Sequence, residues 1–346
     1  MSVEVRSVSH EYTEREIRLM GVTSKYVLGM VTQLLINALL GAYKRTRIKV
    51  LDNINLKVRS GEFIGVLGVN GSGKTTLLKI IGGLLKPTKG DVLINGYSII
   101  RDEMIARRHV MYIPGSLVGG VILSPWLSIR DNLKKVFELY NAPMSKIDEA
   151  LKVAGLEKYA HRRVGSLSSG LAARVTLISA LYSNASVLLF DEPTAGISVE
   201  GVRSIHEFIK EKLWRENGAT IIYATNNVNE AQKLCRKIVI LHRGKIITSG
   251  SLHEIVNKMG LKETIKVKAY IHDIDKVKNT LAELGERYEV KSLGDNYYDI
   301  KVITSSAESI LPELLESLIK RGSKILLVKV EDLSLEDVFM YYIREG

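Results

Sequence analysis

The chain has 346 residues, enough for two domains at about 150 residues each. It is 46% hydrophobic and 25% charged, which excludes a disordered or collagen-like chain, and its single cysteine, Cys235, excludes a disulfide framework or a cysteine-ligated zinc site. Lys and Arg number 49 against 38 Asp and Glu; the net charge of +11 favours an acidic partner (nucleic acid, nucleotide or anionic membrane surface) or reflects a generally Lys-rich surface.

From the N-terminus, residues 1–19 carry Glu4, Glu11, Glu14 and Glu16 and no apolar run of signal-peptide type, which predicts a chain kept in the cytoplasm. Residues 3–12 read as a first strand. Residues 26–43 then hold no charge and are flanked by Lys25 and by Lys44, Arg45, Arg47 and Lys49. That length sits at the lower edge for a membrane helix. Gly29, Gln33, Asn37 and Gly41 recur every four residues and make one narrow polar or small stripe. A membrane span, an interfacial helix and a helix packed on a partner all compete, and the stripe with its basic flank favours the last two. A second strand is expected over 50–58.

The apolar run 63–67 leads into Gly68-Val69-Asn70-Gly71-Ser72-Gly73-Lys74-Thr75-Thr76, and a helical pattern follows over 75–81. This is the strand, GxxxxGK[ST], helix context of a P-loop. Its backbone N–H groups and helix N-terminus cradle phosphates, so Asn70, Gly71, Ser72, Gly73 and Thr76 join Lys74 and Thr75 as nucleotide-binding candidates. Lys74 supplies a point charge to the β- and γ-phosphates, and the Thr75 hydroxyl suits Mg²⁺. Further on, Ser186-Val187-Leu188-Leu189-Phe190-Asp191-Glu192-Pro193 reads as a buried parallel strand ending in two carboxylates. Asp191 suits Mg²⁺, directly or through water, and Glu192 suits polarising the attacking water, the arrangement of a Walker B strand.

Between these motifs lies Ser166-Leu167-Ser168-Ser169-Gly170-Leu171-Ala172-Ala173-Arg174-Val175. Alone, its serine reads as a helix N-cap. With the other two motifs it resembles the signature of the ABC family, and residues 1–255 resemble the ATPase subunit of an ABC transporter. The resemblance implies a P-loop α/β ATPase domain with a helical subdomain over about 115–165 and with 13–47 as an insertion. It implies ATP and Mg²⁺ as cofactors, a transmembrane permease as partner, and a place at the cytoplasmic face of the membrane, peripherally bound. It also implies a second ATPase subunit, homodimer or heterodimer, in which Ser168, Ser169 and Gly170 act on ATP bound by the partner. Tyr12, with Tyr43 as runner-up, is then the aromatic platform for adenine. Trp126 is expected to be buried in the helical subdomain, with a contact to the membrane protein as the alternative.

The chain departs from the family pattern at three places. Gly115 stands where a glutamine is expected, Ser198 where an aspartate is, and Asn226 where a switch histidine contacts the γ-phosphate. Asn226 keeps a donor and an acceptor but carries no charge, so Glu192 and Asn226 are the catalytic candidates. Two readings follow: family drift with Asn226 sufficient, or the degenerate half of an asymmetric pair.

Beyond residue 262 the pattern changes to strand, helix, two strands around Gly294-Asp295-Asn296, helix, strand. This βαββαβ order predicts a small ferredoxin-like α+β domain over 262–346. Its last helix, with Ser334-Leu335-Glu336-Asp337-Val338-Phe339, resembles the tail of drug- and lipid-exporter ATPases of the ABC-2 type. Its expected work is dimerisation or regulation. The leading function is an exporter motor; the others are a weakly hydrolysing regulatory subunit and a soluble ATPase acting on nucleic acid. The single cassette and absence of a basic stripe with interleaved aromatics weigh against nucleic acid.

Overall fold

The computed structural model describes residues 1–13, 47–115, 123–283 and 287–345. The uncharged segment 26–43 and Tyr43 lie outside these. Two compact units divide the chain, 1–248 and 249–345.

In the first unit, β1 (Val3–Thr13) and β2 (Arg47–Val58) pair antiparallel, and β3 (Phe63–Leu67) leads through the glycine loop into α1 (Lys74–Ile81). Next come β4 (Lys89–Ile94), β5 (Tyr97–Ser98), α2 (Glu103–Arg108) and β6 (Val110–Pro114). A helical stretch follows, with α3 (Ile129–Leu139), α4 (Ile147–Val153) and α5 (Ser169–Tyr182). The unit continues with β7 (Val187–Asp191), α6 (Val199–Phe208, running on as a π-helix over Ile209–Glu216), β8 (Thr220–Thr225), α7 (Val228–Leu234), β9 (Lys237–His242) and β10 (Lys245–Gly250).

One sheet has the order β2-β1-β4-β5 and the other β10-β9-β3-β8-β7-β6, with β9, β3, β8, β7 and β6 mutually parallel. Strands β3, β7 and β8 are buried along their whole length, as apolar runs in a covered parallel sheet must be. Val3, Val5, Val8 and Val58 of the antiparallel sheet join Leu77, Leu78, Ile80 and Ile81 of α1 and Val66, Leu189 and Ile222 of the parallel sheet in one core. The parallel register sets Leu67 beside Thr225, and Asp191 beside Ala224 and Pro114. The carboxyl ends of β3, β6, β7 and β8 therefore form one rim, where ligands of open parallel sheets bind.

In the helical stretch, Ser128 caps α3 by accepting from Asp131 N–H. The buried Asn132 amide bonds Ser124, Leu127 and Ser128 and fixes the preceding turn. That turn presents Trp126 outward, 78% exposed, and corrects the expectation that it packs inside.

The second unit starts earlier than the sequence pattern suggests, since α8 (Leu252–Met259) belongs to it and packs with its last helix. It continues with β11 (Glu263–Tyr270), α9 (Ile274–Glu283), β12 (Arg287–Gly294), β13 (Tyr297–Thr304), α10 (Ala307–Lys320), β14 (Lys324–Asp332) and α11 (Leu335–Glu345). The sheet order is β12-β13-β11-β14, antiparallel throughout. Ile265, Val267, Ala269, Ile300 and Val302 meet Val277, Leu281, Leu314 and Leu318 of α9 and α10 on one face. Asp337 of α11 bonds Thr264 and pairs with Lys301. This is the ferredoxin-like arrangement that the βαββαβ order predicts. Among the described residues no helix is long and apolar enough to cross a membrane.

Candidate nucleotide site

The glycine loop holds its shape through backbone conformations that side chains resist. Gly73 caps α1 at φ +108°, and a Cβ there would lie 2.7 Å from Leu51 Cδ2. With no side chain capping α1, its first N–H groups are left for an incoming anion. Lys74 is 5% exposed; its Nζ donates to the Gly68 and Val69 carbonyls at 2.8 and 3.2 Å and lies 3.3 Å from Glu192 Oε1.

At the end of β7, Asp191 Oδ2 accepts from the Tyr112 hydroxyl at 2.8 Å. Burial, reinforced by the Asp191 charge and this bond, pushes the Tyr112 pKa well up, so the phenol keeps its proton and donates. Asp191 Oδ1 is buried without a hydrogen-bond partner. A buried, unpaired carboxylate oxygen beside the exposed Thr75, in the same cavity, is a donor set that fits a hard cation such as Mg²⁺. Glu192 takes a left-handed φ of +52°, a strained backbone costing about 1–2 kcal/mol in a residue with a side chain. Its N–H donates to the Ala224 carbonyl at 2.9 Å, which fixes it against β8.

Tyr12, Asn70, Gly71, Gly73, Lys74, Thr75, Thr76, Asp191 and Glu192 line one cavity of about 630 Å³, together with Val50, Gly115 and Ala195. Ser72 sits behind the loop with its Oγ buried and unpartnered. Tyr12 stands edge-on to His10 and its hydroxyl lies 3.4 Å from Thr76 Oγ1. Asn226 is exposed at the rim, and its Nδ2 donates to Asn70 Oδ1 at 2.9 Å.

Ser168, Ser169 and Gly170 are exposed at the start of α5, where Ser168 caps the helix through Leu171 N–H. Ser168 and Gly170 line a different hollow, shared with Arg174, Ile197 and Gly201. The fold does not bring them to the glycine loop of the same chain. Ser198 caps α6 by accepting from Gly201 N–H. Serine and aspartate cap equally well, so this departure keeps the helix start and removes only a charge.

Gly115 is not a vacancy where a glutamine could fit. A Cβ there would lie 2.7 Å from the Glu192 carbonyl oxygen and 2.8 Å from that of Asp191. Sequence reasoning missed Tyr112 and a second group, Glu230. This buried carboxylate accepts from Thr194 Oγ1 at 2.7 Å, Thr225 Oγ1 at 2.9 Å and the Tyr223 hydroxyl at 3.3 Å. It ties the loop after Glu192 to the loop that carries Asn226. The only signal for it is a Glu in the first turn of α7, ordinarily a dipole-facing surface residue.

A glycine loop at a helix N-terminus, a buried lysine and two carboxylates on a parallel-sheet rim define a P-loop nucleotide-binding protein. The family described as "ABC transporter" matches residues 51–195. The uncharacterized ABC transporter ATP-binding protein YhcH of Bacillus subtilis (strain 168) is 32% identical over 84% of this chain and 90% of its own. Nod factor export ATP-binding protein I of Cupriavidus metallidurans is 32% identical over 70% of this chain and 78% of its own. A solved dimer of the ATP-binding cassette MJ0796 in a post-hydrolysis state, bound to ADP and Pi, is 26% identical with a TM-score of 0.55, covering 72% of this chain and 98% of that one. The chain belongs to the ATP-binding subunits of ABC transporters. It binds ATP, is an ATPase of that class, and serves ATP-driven transport.

Proposed function

We propose that this subunit drives an ABC-2 type exporter by closing against a second ATPase subunit around ATP. The observation that carries the reading is the separation of two half-sites within one chain. Lys74, Thr75, Asp191, Glu192 and Asn226 gather at or beside one cavity, while Ser168 and Gly170 line another. A nucleotide on the first is completed by the second half-site of another subunit. In this mechanism Lys74 and the N–H groups of α1 hold the phosphates. Thr75 and Asp191 hold Mg²⁺, which when bound neutralises developing charge on the phosphate oxygens. Glu192 accepts a proton from the attacking water, and Asn226 orients that water or the terminal phosphate by hydrogen bonding.

The relatives include export and import proteins alike, so the exporter direction rests on the C-terminal helix and its Ser334–Phe339 motif. The permease would meet the outward-facing Trp126 and the groove of about 360 Å³ lined by Met104, Arg107, Lys135 and Leu139, which holds the subunit peripherally at the membrane.

Steady-state MgATP hydrolysis by the purified chain, beside Glu192→Gln and Asn226→His, tests this. A rate that depends on Glu192 supports the motor. A second reading, a weakly hydrolysing partner in a heterodimer, is favoured by the backbone packing that excludes any side chain at Gly115. ATP binding without turnover, rescued by Asn226→His or by an added partner subunit, establishes that reading instead.

A further inference from the structure

Glu230 is a buried carboxylate to which the proposed hydrolysis assigns no step. Its two oxygens are divided between two segments. Oε1 accepts from the Thr194 hydroxyl at 2.7 Å, and Oε2 accepts from the Thr225 hydroxyl at 2.9 Å and the Tyr223 hydroxyl at 3.3 Å. The Tyr223 ring is fully buried and tilted against Phe63 and Phe190, so its hydroxyl is a fixed anchor inside the sheet. Each of the two segments holds a residue with a proposed role in hydrolysis. Thr194 lies two residues after Glu192, whose carbonyl accepts from Ala195 N–H at 3.1 Å and whose backbone stands at φ +52°. Such a conformation persists only where the surrounding contacts over-determine it. Thr225 precedes Asn226, and its hydroxyl also accepts from Asn227 N–H at 3.0 Å. Asn227 Oδ1 in turn accepts from Asn229 N–H at 3.0 Å and from the N–H of Glu230 itself at 3.3 Å. Both chain neighbours of Asn226 are therefore tied to Glu230 through one closed ring of bonds.

We propose that Glu230 is a positioning residue for hydrolysis, setting Glu192 through Oε1 and Thr194, and Asn226 through Oε2 and Thr225. The inference rests on the roles given above to Glu192 and Asn226. A carboxylate suits the post because both of its oxygens accept, one for each segment, whereas an amide offers a single accepting oxygen. The groups that hold the phosphates, Lys74 and the N–H groups of α1, take no part in these bonds. The network therefore governs the rate of the chemical step and not the affinity for ATP. Displacing a reacting group by about 1 Å costs up to about 10²-fold in rate, so a small relaxation of either segment is enough to be measured.

The test is steady-state MgATP hydrolysis by the full chain, with calorimetric ATP affinity and urea unfolding measured on every variant. Thr194→Val and Thr225→Val keep the shape and each remove one hydroxyl. Each should lower kcat about 10- to 100-fold, with KM and ATP affinity changed by less than about threefold. Thr194→Ser and Thr225→Ser, which keep the hydroxyl, should hold most of the rate. Glu230→Gln, with one accepting oxygen left, should lower kcat in the same range. The two arms separate in an Asn226→Ala background, where Thr225→Val should have little further effect while Thr194→Val keeps its full effect. Folded valine variants that turn over at the wild-type kcat overturn the proposal. So does a loss carried by KM alone, a loss of stability with kcat intact, or an equal further loss from both valine variants in Asn226→Ala. A loss of kcat in Glu192→Gln and Asn226→Ala beside an intact kcat in Glu230→Gln refutes the proposal and leaves the reading of the site standing. If Glu192→Gln and Asn226→Ala turn over at the wild-type rate, or the wild-type chain does not turn over, that reading fails and the proposal falls with it.

Discussion

Asn226 donates from Nδ2 to Asn70 Oδ1 at 2.9 Å, so the loop after β8 is tied to the phosphate-binding loop by one neutral hydrogen bond. A neutral bond of this kind contributes about 1 kcal/mol. Asn226→Ala is expected to lower kcat/KM about tenfold or more, because it removes both this tether and the rim group proposed to orient the attacking water or the terminal phosphate. Asn70→Ala should cost less, and the double variant should show coupling of roughly 1 kcal/mol between the two. Asn226→His restores a group that can be charged and should raise kcat severalfold with little change in KM. Steady-state hydrolysis over a range of MgATP concentrations measures all four.

Lys74 holds Glu192 at 3.3 Å, the same ammonium that a phosphate would claim. Nucleotide entry therefore competes with the carboxylate for Lys74, and releases Glu192 toward water. Glu192→Gln removes the competitor and, with it, the carboxylate proposed to accept the proton. ATP affinity should rise severalfold, while kcat falls by about 10²–10⁴. Lys74→Ala should weaken ATP binding by about 100-fold, since a buried cation is lost from the phosphates. Calorimetric titration with ATP, alongside turnover, reads both arms. An unchanged affinity in Glu192→Gln would mean that the ion pair opens without cost.

The glycine loop, the Asp191–Glu192 strand and the second unit's βαββαβ order are legible in the sequence because each is fixed by backbone demands. Phosphate cradling needs glycines at set positions, and parallel strands need unbroken apolar runs. What the sequence does not expose is anything set by close approach between distant segments. Gly115 looks like a missing glutamine, whereas in three dimensions its hydrogen faces the carbonyls of Asp191 and Glu192. Trp126 looks like core on hydrophobicity, yet Asn132 ties its turn down and leaves the indole outside. Glu230 reads as a helix-start carboxylate and is instead the hub between two loops, because Thr194, Tyr223 and Thr225 converge on it only once β8 lies beside β7.

The packing at Gly115 makes a direct prediction. A methyl group there would press on the backbone carbonyls of Asp191 and Glu192 at the end of β7, and backbone cannot yield as a side-chain tip can. Gly115→Ala should destabilise by about 1–3 kcal/mol and lower kcat more than it raises KM. Gly115→Gln should be worse, and should not restore the activity expected of a family glutamine. Urea unfolding at unchanged m-value gives the stability term, and hydrolysis gives the rest.

The Glu230 hub also sets a pH dependence. His206 Nε2 lies 3.2 Å from the Tyr223 hydroxyl and 3.8 Å from Glu230 Oε1. Burial holds its pKa below the ordinary 6.5, with the Lys233 charge adding to the effect and the Glu230 charge opposing it. A histidine depressed in the folded state contributes stability that is present above its unfolded value and lost as pH falls through the folded one. The unfolding free energy should therefore be flat above about pH 7 and decline below 6.5, and His206→Asn should flatten part of that decline. His242, also depressed by burial with Arg243 contributing, adds to the decline with the same sign. Glu230→Gln removes the one charge that holds the His206 value up, so His206 should titrate lower still by NMR. The same variant replaces one carboxylate oxygen with an amide N–H₂, set against either the Thr194 hydroxyl or those of Tyr223 and Thr225, at a cost of about 1–3 kcal/mol. If His206 titrates at or above 6.5 in the wild type, the carboxylate outweighs burial, and the decline at low pH must be assigned to other groups.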